Sequence, residues 1–388
     1  MSKKWTVCLI GILGGISLAL VQNKVSPCIT LIMDAFDISM SKAGLLSSIF
    51  AIMGMLAALP SSIIIKKLGV KKAGLFSLLF AIVGSLVGVT TSSVTVLIIS
   101  RVIEGFGVGV IAVIAPSLIS MWFPPAKRGL PMGIWGSWMM VSQAVLFIIN
   151  APLTQRYGWQ GMWWFGLGVC ILMAVLWIIF IDTPSKEENH ANIESQTVSI
   201  KEGINSKTVW ILGLVATCFT FISFGFVTWI SSYWSSITGW SINETNSWIS
   251  LLYTVEIAYA IIVGFILNKV KNRTKFLVIG FIIYALVAFL CFEAKATAMI
   301  IALVFIYPMF DAQIPCTLWT LGPQIAKRPE LAGVALGVLN IGLNLGTIIG
   351  APVTGWSVES FGWSGASILF ASIALIGGAF ATRVKIQS

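Results

Sequence analysis

The chain has 388 residues, of which 57% are hydrophobic and 10% charged, with a mean hydropathy of +0.96 and a formal net charge of +10. A water-facing domain carries roughly 25% charged residues, so this composition excludes an ordinary soluble fold and makes lipid the main solvent. The positive excess does not mark a nucleic-acid partner either. Lys and Arg occur as short clusters between apolar runs and never form one basic stripe.

A membrane span needs about 20 apolar residues. Runs of that kind occupy 5–33, 42–65, 73–91, 94–122, 130–153 and 161–181, then 208–236, 247–268, 274–292, 297–325, 332–355 and 363–381. The first run is too long for a signal-peptide core and has no small-residue cleavage site, so it reads as the first helix. Between the sixth and seventh runs lies the one long polar segment, with Lys186, Glu187, Glu188, His190, Glu194, Lys201 and Glu202. The expected organisation is an N-terminal six-helix bundle over 1–181, a cytoplasmic linker over 182–207 and a C-terminal six-helix bundle over 208–388.

Loop charge alternates. Lys3-Lys4, Lys66-Lys67, Lys71-Lys72, Lys127-Arg128, Lys269 to Lys275, Lys327-Arg328, Arg383 and Lys385 fall in one set of loops. The other set carries Asp34, Asp37, Glu244, Glu293 and Glu359, with Arg156 and Lys295 among its few cations. This is the positive-inside pattern, which predicts both termini in the cytoplasm of a cell inner (plasma) membrane.

The halves repeat. Asn150-Ala151-Pro152 followed by Gly158-Trp159 recurs as Gly350-Ala351-Pro352 followed by Gly362-Trp363; Pro116, Lys127-Arg128 and Gly133 recur as Pro315, Lys327-Arg328 and Gly333. Half-length symmetry is the mark of transporter folds in which two bundles rock about a central site. Gly342, Gly346 and Gly350, and Gly105 with Gly109, form small-residue stripes that predict close helix packing in lipid.

Further residues resemble a known family. Ser62 to Lys72 is similar to the major facilitator loop between the second and third helices, with Gly69 and the basic end in place, but with Ser62 and Lys66 where the family has Gly and Asp. A degraded copy runs from Gly264 to Arg273. Arg101-Val102-Ile103-Glu104-Gly105 resembles the family's Arg-x-x-Glu-Gly signature, continued by Trp122-Phe123-Pro124-Pro125 and Lys127-Arg128-Gly129. Asn23-Lys24 with Ile32, Asp34, Phe36 and Ile38-Ser39 looks like the anion:cation symporter subgroup, which usually has Arg at the position of Lys24. The resemblance implies an all-α membrane protein with twelve transmembrane helices in two pseudo-symmetric bundles, working as a secondary transporter by alternating access.

Ionisable side chains inside spans are costly and are the first candidates for function. Five qualify by depth: Lys24, Arg101, Glu104, Glu256 and Asp311. Arg101 and Glu104 lie three apart on one helix face, where they read either as an ion pair fixing the fourth helix against the first or as groups tuning protonation. With the resemblance, Lys24 and Arg101 become a carboxylate site. Lys lacks the planar fork of Arg, so its fit to a carboxylate is looser. Tyr253 shares a face with Glu256, and Tyr307 with Asp311. Removal from water disfavours a charged carboxylate, so Glu104, Glu256 and Asp311 are the candidate proton carriers. Glu256 and Asp311 could alternatively receive a cation, with Tyr253, Tyr259 or Trp229 as π-faces, or be pinned by Asn340 or Asn344. Trp138, Asn340 and Asn344 complete the candidate substrate-binding set, and Trp135, Trp229 and Trp319 are further tryptophans inside spans.

Cys8, Cys28, Cys170, Cys218, Cys291 and Cys316 have no metal-ligand spacing and read as packing residues. No nucleotide-binding loop, nucleophile motif or cofactor motif occurs, so the chain does not read as an enzyme or an ATP-driven pump. The leading expectation is proton-coupled symport of a small organic anion by a monomer; the alternative is a proton antiporter exporting a cationic or amphipathic compound. Proton and sodium coupling both remain open.

Overall fold

A computed structural model of the chain describes residues 3–124, 127–184, 205–326 and 331–384. Most of the polar segment between the halves, including His190, lies outside the described residues, as do Lys327, Arg328, Lys385 and the side chains of Ser62 and Lys66. All regular structure among the described residues is helical: α1 (Lys3–Asn23), a 3-10 turn (Ser26–Cys28), α2 (Ile29–Phe36), α3 (Met40–Ser48), α4 (Phe50–Val89), α5 (Val94–Trp122), α6 (Gly129–Gly136), α7 (Trp138–Tyr157), α8 (Gln160–Phe180), α9 (Lys207–Thr238), α10 (Ile242–Lys269), α11 (Arg273–Cys291), α12 (Thr297–Gln324), α13 (Ala332–Phe361) and α14 (Trp363–Ala381). They supply 12 helical segments long and apolar enough to cross a membrane. Large apolar side chains face outward along them. On α8, Ile171, Leu172, Val175, Ile178 and Ile179 form one exposed stripe at helical spacing, which only lipid would solvate.

The first span reads as continuous in sequence but is broken. Pro27 has no N–H to continue the ladder and disfavours a helical Ser26, so α1 stops at Asn23 and a 3-10 turn bridges to α2. The fifth span is interrupted at Ser137, between α6 and α7. Inside α4, Gly69 leaves helical geometry at φ 74°, ψ 161°, near the start of the third span, Lys67–Val89.

The chain forms two compact units, Met1–Ile38 with Ile49–Ile193, and Ser39–Ser48 with Glu194–Ser388. In the first, α1, α4, α5 and α8 bury Leu18, Val21, Ile111, Ile114, Cys170 and Trp177 together. Gly105 and Gly109 bring α5 against the α4 backbone: a Cβ on Gly105 would stand 2.2 Å from the Phe50 carbonyl oxygen, and one on Gly109 2.6 Å from that of Gly54. In the second unit, Gly342, Gly346 and Gly350 do the same for α13 on α9, with Cβ positions 2.1, 2.2 and 2.5 Å from the carbonyl oxygens of Gly213, Thr217 and Phe221. The hydroxyls of Thr217 and Thr220 donate across that seam to Gly342 and Leu343 carbonyls at 3.0 and 2.7 Å. The α3 segment also docks on α13, where the Met40 N–H donates to Glu359 Oε1 at 2.6 Å and Ser48 Oγ to the Ile348 carbonyl at 3.0 Å.

The sequence repeat is a structural repeat. Gly158 (φ 60°, ψ −160°) ends α7 and Gly362 (φ 71°, ψ −174°) ends α13, in a region open to glycine alone. Each N–H caps its helix at 2.9 Å, and the next helix follows at once, with Trp159 as the N-cap of α8 and Trp363 as the first residue of α14.

Candidate functional site

Among the described residues, the buried ionisable carboxylate, ammonium and guanidinium side chains are Lys24, Arg101, Glu104, Glu256 and Asp311. They form two clusters, one in each unit.

In the first unit, the break after α1 exposes helix-end carbonyls that have no intrahelical donor. Arg101 of α5 fills that need. Its Nη1 donates to the Val21 carbonyl at 2.7 Å and its Nη2 to the Gln22 carbonyl. A cation at a helix C-terminus also opposes the negative end of the dipole. The same guanidinium pairs with Glu104 Oε2 at 2.5 Å. Glu104 Oε1 accepts from Lys24 Nζ at 2.6 Å and from Ser85 Oγ at 2.8 Å, while Lys24 also donates to Ser85 at 3.0 Å. The Lys24 ammonium lies 4.4 Å from the Trp163 ring centroid, a cation–π contact. All three charged side chains have no solvent exposure. With two cations and one carboxylate, the cluster carries one net positive charge in a low-dielectric interior, where charge acts strongly. The Trp163 indole N–H is buried beside it with no hydrogen-bond partner.

In the second unit, Asp311 of α12 is ringed by hydroxyls. Its Oδ1 accepts from Tyr284 at 2.6 Å and Tyr307 at 3.2 Å, and its Oδ2 from Ser223 at 3.1 Å. Tyr284 and Tyr307 are themselves 2.8 Å apart, oxygen to oxygen. Tyr307 is held in place by stacking on Phe226 at 3.8 Å. The Glu256 carboxyl of α10 is buried beside that of Asp311. Asp311 accepts from three hydroxyls, whereas Glu256 Oε2 has no partner. Tyr253 is buried within electrostatic range of both acids.

Several side chains take places the sequence does not indicate. Asn340 and Asn344 do not pin Glu256 or Asp311: the Asn344 amide donates to Asn340 Oδ1 at 2.5 Å, one turn away on α13. Trp138 stacks on Trp135 at 4.5 Å, and the ring under Lys24 is Trp163. The Trp229 indole is fully buried and donates to the Ala351 carbonyl at 2.8 Å between α9 and α13. Ser85, Trp163, Ser223 and Tyr284 are the partners that sequence reasoning missed. Only Tyr284 leaves a signal, as the sole hydroxyl between Lys275 and Cys291.

The sequence profile of the Major Facilitator Superfamily matches residues 7–341. The chain belongs to that superfamily. It is therefore a multi-pass membrane transporter and not an enzyme. The transporter is 22% identical over 397 residues to the hexuronate transporter of Bacillus subtilis, covering 96% of this chain and 94% of that protein. It is also 22% identical to the "Probable sulfoacetate transporter SauU" of Cupriavidus necator, over 70% of this chain and 67% of that one. Its fold is similar to the crystal structure of a bacterial homolog to the human lysosomal transporter Spinster, in an inward-facing and unoccupied conformation. The TM-score is 0.85 at 16% identity, covering 99% of this chain and 97% of that one.

Proposed function

We propose that this transporter moves a small organic anion, a carboxylate, by alternating access, with the anion drawn to the Lys24–Arg101–Glu104 cluster and a proton carried by the Glu256–Asp311 pair. The observation that carries the anion reading is the unbalanced charge: two fully buried cations share one carboxylate. An anion entering that environment supplies the missing charge and gains strongly from the low dielectric. The relatives named as a hexuronate transporter and a probable sulfoacetate transporter support the same sign of substrate.

Proton coupling is supported by the carboxyl pair in the second unit. Two acids buried side by side resist ionising together, so the pair holds one proton, on Glu256 because Asp311 is already engaged by three hydroxyl donors, and can release or regain it as its surroundings change. Glu104 is placed differently: its oxygens are engaged by Lys24, Arg101 and Ser85, and its part is to neutralise one of the two cations. On this reading the transporter works as a monomer in the cell inner membrane, and the loop charge supports both termini being cytoplasmic.

The test is a thermal-shift screen of purified protein against carboxylates, inorganic anions, amines and betaines, followed by uptake of the hits into proteoliposomes. Uptake of a carboxylate driven by an inward proton gradient, and lost in Lys24→Ala, is the expected result. Binding confined to amines, or carboxylate uptake by Lys24→Ala at the normal rate, would refute the anion site. Uptake driven by sodium and indifferent to pH would refute the proton pair.

A further inference from the structure

Beside Lys24, the last two residues of α1 carry buried amides whose hydrogen bonding is incomplete. Gln22 and Asn23 are 6% and 3% exposed. The Gln22 Nε2 and the Asn23 Nδ2 both lie 3.7 Å from the Met139 sulfur, a weak acceptor shared by two good donors. The orientation of Asn23 is decided by Ser142. That hydroxyl has one hydrogen and donates it to the Met139 carbonyl at 2.7 Å, so towards Asn23 it can only accept, which it does from Nδ2 at 3.1 Å. The Asn23 carbonyl oxygen therefore points elsewhere, and it has no partner. Gln22 Oε1 has none either.

A buried amide oxygen left unpaired is costly, and buried polar groups in native proteins are as a rule satisfied. Here two such oxygens, and two amide donors resting on a sulfur, occur at the end of the helix that Lys24 follows. A group that fits must donate to a carbonyl and accept from an N–H. A hydroxyl does both. An ammonium only donates, leaves the amide N–H groups on sulfur, and is repelled by the net positive charge of Lys24 and Arg101. A methylene satisfies neither side.

We infer that Gln22 and Asn23 form a hydroxyl-recognising subsite of the anion site, so that the preferred substrate is a carboxylate bearing at least one hydroxyl. This rests on the anion reading above and deepens it. The carboxylate is held at the cationic cluster, and the hydroxyl replaces the Met139 sulfur as acceptor while donating to an amide oxygen. Ser142 is a positioning residue that fixes the Asn23 amide. Sites built to hydrogen-bond a substrate hydroxyl reject the analogue lacking it far better than an apolar pocket rejects an extra methylene.

The test compares matched probes on the full-length protein: propanoate, 2-hydroxypropanoate and 2-aminopropanoate, then hexanoate and gluconate. Affinity is read by thermal shift and by inhibition of proteoliposome uptake. The hydroxy acids should bind about ten-fold or more tightly than their deoxy partners, and the amino acid should bind no better than propanoate. In Asn23→Leu the preference should shrink to about three-fold or less while propanoate binding is kept. Gln22→Met, which keeps side-chain length, gives a second readout should Asn23→Leu fold poorly. Equal binding of hydroxy and deoxy acids, or stronger binding of the amino acid, overturns the subsite while the anion site stands. Binding of no carboxylate at all overturns both.

Discussion

The two buried clusters are opposite in charge and in how they hold it. In the first unit, Glu104 lies between two cations, and Arg101 reaches two backbone carbonyls at the end of a broken helix. In the second, one carboxylate is shielded by neutral hydroxyls and lies beside a second buried acid. The first cluster is tied by ion pairs within α5 and from α5 to the turn after α1, so removing one member leaves an uncompensated charge. The second is tied by neutral donors, so one member can change protonation while the rest remain paired. Building with ions anchors the fold and attracts an opposite charge; building with hydroxyls leaves a site free to titrate.

The sharpest way to break this contrast is to remove the shared carboxylate. Glu104→Ala leaves Lys24 and Arg101 buried without a counter-ion and should cost about 3–5 kcal/mol, seen as loss of monodisperse protein or a large fall in melting temperature in detergent. A change within about 1 °C would mean that the cations are not held as the geometry states. Lys24→Ala should be milder for folding, because Arg101 and Glu104 remain paired, yet it should lower anion uptake by at least about ten-fold.

The second cluster predicts an asymmetry between its acids. Asp311→Asn replaces an acceptor of several donors by an amide that matches them poorly, and should destabilise by about 1–3 kcal/mol. Glu256→Gln mimics the protonated donor, so melting should hardly change. That variant should lose proton-driven accumulation while retaining substrate exchange in counterflow. Equal melting of the two variants would remove the assignment of the proton to Glu256. Milder than Asp311→Asn is Tyr284→Phe, which takes one donor from Asp311 and should cost about 1 kcal/mol.

A control outside both clusters completes the series. Lys3 and Asp182 form an exposed pair at 2.7 Å, and the hydrogen bond from Lys3 holds the Asp182 carboxyl below its ordinary value. A depressed carboxylate stabilises the folded state above the unfolded pKa and loses that effect as pH falls through the folded one. Lys3→Ala should therefore flatten stability only in that acid range and leave melting near neutral pH almost unchanged, as exposed pairs contribute little.

How much of this was legible in sequence follows from the kind of signal each feature leaves. The spans are legible because lipid demands long apolar runs, and Lys24, Arg101, Glu104, Glu256 and Asp311 stand out inside them. The partners are not. Ser85 and Ser223 are small polar residues of a kind that occurs throughout the spans, and Trp163 is one of sixteen tryptophans. Nothing in the chain says which of them meets a charge. Asn340 and Asn344 mislead for the same reason: at a spacing of four they can serve a third group or each other, and they pair with each other.

The sequence by itself determined the membrane class, the twelve spans, the half-length repeat and the cost-bearing charges, because these depend on local apolarity and on residue type. Its Gly158-Trp159 and Gly362-Trp363 repeats even carry the backbone geometry, since only glycine enters that region without strain. Tertiary structure alone decided that Arg101 closes the end of α1, that Asp311 is ringed by hydroxyls, and that α3 docks on α13. Those outcomes depend on which helices meet and at what height, and contacts between residues eighty or three hundred positions apart leave no periodic trace along a chain.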